Sequence, residues 1–244
     1  MKTVGISHIG NVRNTNEDTL LIQCEKKPCY MLVADGMGGH AAGEVASRTA
    51  ADAIKAYIEK LDVALLTDEQ IREAIVYANA CLLEAVENNT ALEGMGTTLT
   101  FVYAERDNLK VAQVGDSGAY LYDGGEMRKI TKDHTYIQHL IDSGVIEKNE
   151  AADYPFKNII TRALGMKKLE IDIYNTTWKE GDLLLLCSDG LTAYTDTQKM
   201  AQVLSDDNKI KDKAQEFIDF ALESGGKDNI TLIIAKNEPQ EEIL

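Results

Sequence analysis

Three apolar runs in this chain carry an aspartate at one end. Tyr30-Met31-Leu32-Val33-Ala34 leads into Asp35-Gly36-Met37-Gly38-Gly39-His40. Leu183-Leu184-Leu185-Leu186-Cys187-Ser188 leads into Asp189-Gly190, and Lys227-Asp228-Asn229 opens Ile230-Thr231-Leu232-Ile233-Ile234-Ala235. A buried strand that ends in a carboxylate aims that charge at whatever lies off its tip. Three such tips sharing one place repel one another and lose hydration, so they require a cation between them. Oxygen donors of this kind suit a hard divalent ion. The glycines after two of the aspartates let the backbone turn tightly and bring a carbonyl oxygen into the same shell.

The elements that would position these residues follow from periodicity. Strands rich in Val, Ile, Leu, Thr and Tyr are predicted near 2–8, 19–24, 29–34, 97–104, 108–114, 118–123, 126–130, 169–177, 182–188 and 229–236. Asp123-Gly124-Gly125 and Arg106-Asp107-Asn108 read as hairpin turns. Apolar residues at helical spacing run from Gly43 to Leu61. Thr67-Asp68-Glu69-Gln70 is a capping box that opens a second helix, and a third spans about Lys209 to Glu223 before Gly225-Gly226. Helices inserted in blocks among many strands predict an α+β fold. A four-layer sandwich of two mainly antiparallel β-sheets, flanked by α-helices on both sides, accommodates this count.

Composition narrows the function. At 244 residues the chain is long enough to bury a sizeable core. Three prolines and the lack of a Gly/Ser-rich linker give no domain boundary. A formal net charge of −15 disfavours nucleic acid and anionic membrane surfaces as partners. No run approaches the roughly 18 apolar residues of a membrane span. The opening Met1-Lys2-Thr3-Val4-Gly5-Ile6 is too short and polar for a signal peptide. A soluble, cytoplasmic protein is expected. Cys24, Cys29, Cys81 and Cys187 lack C-x-x-C spacing and read as reduced structural thiols, in preference to disulfides or zinc ligands.

Six blocks then fall in one order: Arg13-Asn14-Thr15-Asn16-Glu17-Asp18, Asp35-Gly36-Met37-Gly38-Gly39-His40, Gly96-Thr97-Thr98, Gly115-Asp116-Ser117, Ser188-Asp189-Gly190 and Lys227-Asp228-Asn229. In this the chain resembles the metal-dependent serine/threonine protein phosphatases, the type-2C family, in its bacterial form, over essentially its whole length. The resemblance implies the same four-layer fold, as one phosphatase domain over 1–244 with a flap at about 135–165. It implies hydrolysis of phosphoserine and phosphothreonine in proteins by a water held between two metal ions, Mn2+ or Mg2+, with a weaker third ion. Asp35 would bridge two ions with the Gly36 carbonyl beside it, and Asp189 and Asp228 would hold the second. Asp116 would share the third ion with Asp189. Glu17 and Asp18 would hold metal-bound waters. The planar fork of Arg13 suits a phosphate clamp, and His40 is the candidate acid that protonates the leaving oxygen. Gly96-Thr97-Thr98 is read as structural, and Asp133-His134 as at least as fit for a structural role as for a catalytic one.

The flap departs from the family pattern. Tyr154-Pro155 stands where His-Pro is frequent and Lys157 where Arg is frequent, while Asn158 and Thr161-Arg162-Ala163-Leu164-Gly165 are kept. Gly118 likewise occupies a usual Arg position. Expected partners are phosphorylated proteins, with a Ser/Thr protein kinase and its substrates by analogy, acting on a monomer without nucleic acid or membrane. The alternative is a phosphatase-like binding or sensing module without turnover. The presence of Asp35, Asp189, Asp228, Arg13 and His40 speaks against it. A two-metal nuclease would need a basic, aromatic-rich groove that the acidic chain lacks.

Overall fold

A computed structural model describes residues 1–238, apart from 26–27, 40–41, 148–149, 152–153 and 155–158. His40, Pro155, Lys157 and Asn158 therefore lie outside the described residues. In chain order the strands are β1 (Lys2–His8), β2 (Asp18–Gln23), β3 (Cys29–Met37), β4 (Gly96–Thr97), β5 (Leu99–Glu105) and β6 (Asn108–Val114). They continue as β7 (Gly118–Tyr122), β8 (Met127–Lys129), β9 (Asp172–Thr177), β10 (Leu183–Cys187) and β11 (Ile230–Lys236). The helices are α1 (Ala42–Leu61), α2 (Asp68–Asn88), α3 (Tyr136–Asp142), α4 (Asp189–Thr192), α5 (Thr197–Ser205) and α6 (Ile210–Glu223).

One sheet runs β1-β11-β10-β7-β8 and the other β2-β3-β5-β6-β9, with β4 paired to β3. The named ladders are antiparallel. Strand alternation decides the layers, because successive side chains face opposite sides of a sheet. In β3, Tyr30 and Leu32 pack with Ile54 of α1 and Ile75 of α2, whereas Met31 and Val33 face the second sheet. In β10, Leu185 packs with Phe217 of α6 and Met200 of α5, whereas Leu184 and Leu186 meet Met31 and Val33 between the sheets. Three apolar layers thus lie between four structural layers, and each fully buried Leu or Ile contributes roughly 1.5–3 kcal/mol. The α+β sandwich expected from the sequence is the observed fold.

Local chemistry starts and stops these elements where the residues demand it. The Thr67 hydroxyl accepts from the Gln70 amide at 3.2 Å, and the Gln70 side chain accepts from the Thr67 amide at 2.9 Å, closing the capping box of α2. The strand expected over 97–104 is interrupted at Thr98, whose amide donates to the Asp35 carbonyl rather than to a ladder partner. Helices α3, α4 and α5 escape periodicity analysis because they are short.

One expectation is corrected. Cys24 and Cys29 form a disulfide, and Cys81 and Cys187 are free. The β2–β3 register pairs Gln23 with Tyr30, so Cys24 and Cys29 are the next residues across the hairpin, with Cα atoms 4.2 Å apart. Spacing alone hid a juxtaposition that the hairpin register creates. The hairpin lies at the opposite end of β2 and β3 from Asp18 and Asp35.

Candidate metal centre

The carboxylates gather because several chain segments leave the sandwich at the same end. Register places Asp18 of β2 directly opposite Asp35 of β3. In the other sheet β10 and β11 part after Cys187↔Leu232. Beyond that point the Ser188 amide donates to the Thr231 carbonyl at 2.9 Å, and the Thr231 amide donates to the Ser188 hydroxyl at 3.0 Å. That exchange releases Asp189 into the start of α4 beside Asp228. The two glycines are required for close approach. A Cβ on Gly36 would collide with the carbonyls of Gly43 and Glu17, and one on Gly190 with the Asn229 carbonyl.

Burial and mutual repulsion hold these groups away from ordinary carboxylate behaviour. Asp35 is raised well above its usual range by burial, then by Asp18, Asp189, Asp116 and Asp228. Asp18 is pushed up to about 7 by burial, against hydrogen bonds that favour its charged form. Asp116 is pushed up to about 7 by burial and by Asp189 and Asp133. Asp189 is raised by burial and Asp228, offset by a hydrogen bond to Asp35. One oxygen each of Asp18 and Asp116 is buried without a hydrogen-bond partner among the described residues. Each proton removes one charge and leaves a neutral acid; each divalent cation offsets two charges and keeps the carboxylates ionised. Among the described residues no three His, Cys, Asp or Glu side chains form a ready cage around one point.

A hydrogen-bonded frame holds the cluster rigid, and the sequence reading missed most of it. Buried Asn229 donates to the carbonyls of Ile9 and Thr15 at 2.9 Å each and accepts from the Glu17 amide at 2.8 Å, pinning the 9–17 loop to β11. Ser188 donates to Asp18 at 2.8 Å. The Asp35 backbone is held by both threonines of Gly96-Thr97-Thr98: its amide donates to the Thr98 hydroxyl at 3.0 Å, and its carbonyl accepts from the Thr97 hydroxyl at 2.9 Å. The available signal was small polar residues directly beside the aspartates.

Arg13 stands at the rim, half exposed, with one nitrogen 2.9 Å from Asp228 and another 3.9 Å from Glu17. Glu17 is buried and its carboxyl is raised by burial. Its side chain packs against Gly43 at the start of α1. His134 is a frame residue: its Nδ1 accepts from the Gly115 amide at 3.1 Å, and its own amide donates to the Gly115 carbonyl at 2.9 Å. That bonding places the ring proton on Nε2, 3.2 Å from Asp172. Burial lowers its pKa, which keeps the ring neutral.

A four-layer sandwich with a carboxylate cluster and a rim arginine at one end is the framework of a metal-dependent phosphate hydrolase. Residues 4–230 match the family model described as protein phosphatase 2C, and the chain belongs to that family. It is 38% identical over 234 residues to the serine/threonine phosphatase Stp of Listeria innocua, covering 93% of this chain and 92% of the relative. The crystal structure of the serine/threonine phosphatase PstP of Mycobacterium tuberculosis superposes with a TM-score of 0.88 at 35% identity, covering 98% and 99% of the two chains. The catalytic domain of PstP in complex with two manganese ions superposes with a TM-score of 0.85 at 34% identity, covering 96% and 97%.

Proposed function

We propose that this chain is a metal-dependent protein phosphatase that hydrolyses phosphoserine and phosphothreonine in proteins. The observation that carries the reading is the convergence of Asp18, Asp35, Asp116, Asp189 and Asp228 at one end of the sandwich, with buried carboxylate oxygens left unpaired. Two divalent ions, Mn2+ or Mg2+, supply Lewis acidity and an activated water when bound. Asp35 and the Gly36 carbonyl, with Asp189 and Asp228, are the donors for the principal pair, and Asp116 with Asp189 for a weaker third. Asp18 and Glu17 are placed to orient water around them.

Arg13 offers its guanidinium fork to the phosphate, and Asp228 and Glu17 aim that fork at the cluster rim. His40, assigned from sequence, donates the proton to the leaving serine or threonine oxygen. Residues 135–165 serve as the flap. Bridges Thr135↔Ile160 and Thr97↔Leu164 support this, because they anchor the segment beside the loop that carries Asp116 and the strand that carries Asp35. We assign phosphoproteins as substrates, a Ser/Thr kinase as the opposing enzyme, and a monomer working in the cytoplasm. Among the described residues no helix is long and apolar enough to cross a membrane.

The test is hydrolysis of a phosphothreonine peptide with Mn2+, with chelator, and with Mn2+ restored. Turnover that disappears and returns is the expected result; full turnover in excess chelator overturns the reading.

A further inference from the structure

Beside Asp116 lies an ion pair that the proposed reaction does not use. The Lys129 ammonium binds both oxygens of Asp133, at 2.6 and 2.7 Å, and stands 5.3 Å from the centre of the Tyr120 ring. Its side chain reaches this place across Gly118. A Cβ there would lie 3.2 Å from Lys129 Cε and 2.8 Å from the Tyr120 ring, so a larger residue at 118 would displace both. Gly118 pairs with Cys187, two residues before Asp189, so the pair lies at the strand tip that delivers Asp189. On the other side, His134 and Gly115 exchange two hydrogen bonds, which sets the neighbouring residues Asp133 and Asp116 side by side.

Without Lys129, a third free carboxylate would stand next to Asp189 and Asp116, and one Asp116 oxygen already has no hydrogen-bond partner among the described residues. We infer that Lys129 is a built-in counter-cation that holds Asp133 out of the Asp116–Asp189 site and thereby keeps the cation there weakly bound and exchangeable. Lys129 is a positioning residue, bonded to Asp133 and stacked on Tyr120. This rests on the reading of Asp116 and Asp189 as donors to a third ion. A nearby charge adds to the binding free energy of a hard cation, and one unneutralised carboxylate beside the site strengthens binding by on the order of tenfold.

Calorimetric Mn2+ binding to the whole protein tests the inference. Lys129→Met is expected to tighten the weakest site at least about tenfold and to change the two tighter sites by less, since only Asp189 is shared with them. Asp133→Asn is expected to weaken the same site by a similar factor, because the ammonium is left facing Asp116. Lys129→Arg, which keeps the charge, should bind as the wild type does. Thermal melting in chelator confirms that each variant folds. If both Lys129→Met and Asp133→Asn leave the weakest affinity within twofold of wild type while Asp116→Ala abolishes that site, the counter-cation role is overturned and the site assignment stands. If Asp116→Ala retains the weak site, the assignment itself fails and the inference with it.

Discussion

Asp116→Asn is expected to stabilise the metal-free protein above pH 7, although it replaces a buried side chain at the proposed centre. The folded environment pushes Asp116 up to about 7 from its ordinary 3.8, chiefly by burial and the charge of Asp189. At about 1.36 kcal/mol for each tenfold change in proton affinity, ionised Asp116 costs the folded state up to about 4 kcal/mol. Relaxation of neighbouring groups brings the expected gain to roughly 2–4 kcal/mol. Asparagine keeps the shape and one acceptor oxygen while removing the charge. The sign follows from proton binding. Between about pH 4 and pH 7 the folded wild type holds a proton that the unfolded chain has released, so wild-type stability falls as pH rises through this window and then levels off. The variant lacks the Asp116 share of that dependence while Asp18, Asp35 and Asp189 keep theirs, so its advantage over wild type is near zero at pH 4 and full at pH 8. Urea unfolding in chelator at pH 4, 6 and 8, followed by circular dichroism, measures it. In saturating Mn2+ the order should shrink or reverse, because the ion stabilises only what the carboxylate can bind. An Asp116→Asn variant that is less stable than wild type in chelator at pH 8, or equally offset at every pH, refutes the reasoning.

Three further outcomes are expected. Arg13→Ala should mainly raise KM for phosphopeptides, by about tenfold or more, since the fork binds phosphate in the ground state as well as the transition state; an unchanged KM with reduced kcat removes the clamp role. His40→Ala should lower kcat by roughly 10²–10⁴ for phosphothreonine and much less for an aryl phosphate, whose leaving group needs little protonation; equal loss on both substrates removes the acid assignment. Asn229→Ala breaks three hydrogen bonds, one buried and two part-buried, and should cost about 3 kcal/mol in urea unfolding while weakening Mn2+ binding, because the 9–17 loop loses its anchor. A change below about 0.5 kcal/mol would show that loop to be held by other contacts.

The residues that carry charge and the pattern that buries them are properties of the linear chain. Leu183-Leu184-Leu185-Leu186 ahead of Asp189, and Tyr30 to Ala34 ahead of Asp35, already declare buried strands that end in carboxylates. The long helices are equally legible, because α1, α2 and α6 each repeat their apolar face over several turns and Thr67 with Gln70 closes a cap locally. Order and spacing of the six blocks were enough to identify the family. What depended on tertiary structure was every relation between residues distant in sequence. The bond from Ser188 to Asp18, the grip of Asn229 on Glu17 and the two threonines on the Asp35 backbone join segments up to 212 residues apart. The disulfide follows from hairpin register, and the Lys129–Asp133 pair from the space left by Gly118. Periodicity reports which way a side chain faces, since that is set by local backbone geometry. Which partner it meets is set by how the sheets pack, and no local signal encodes that.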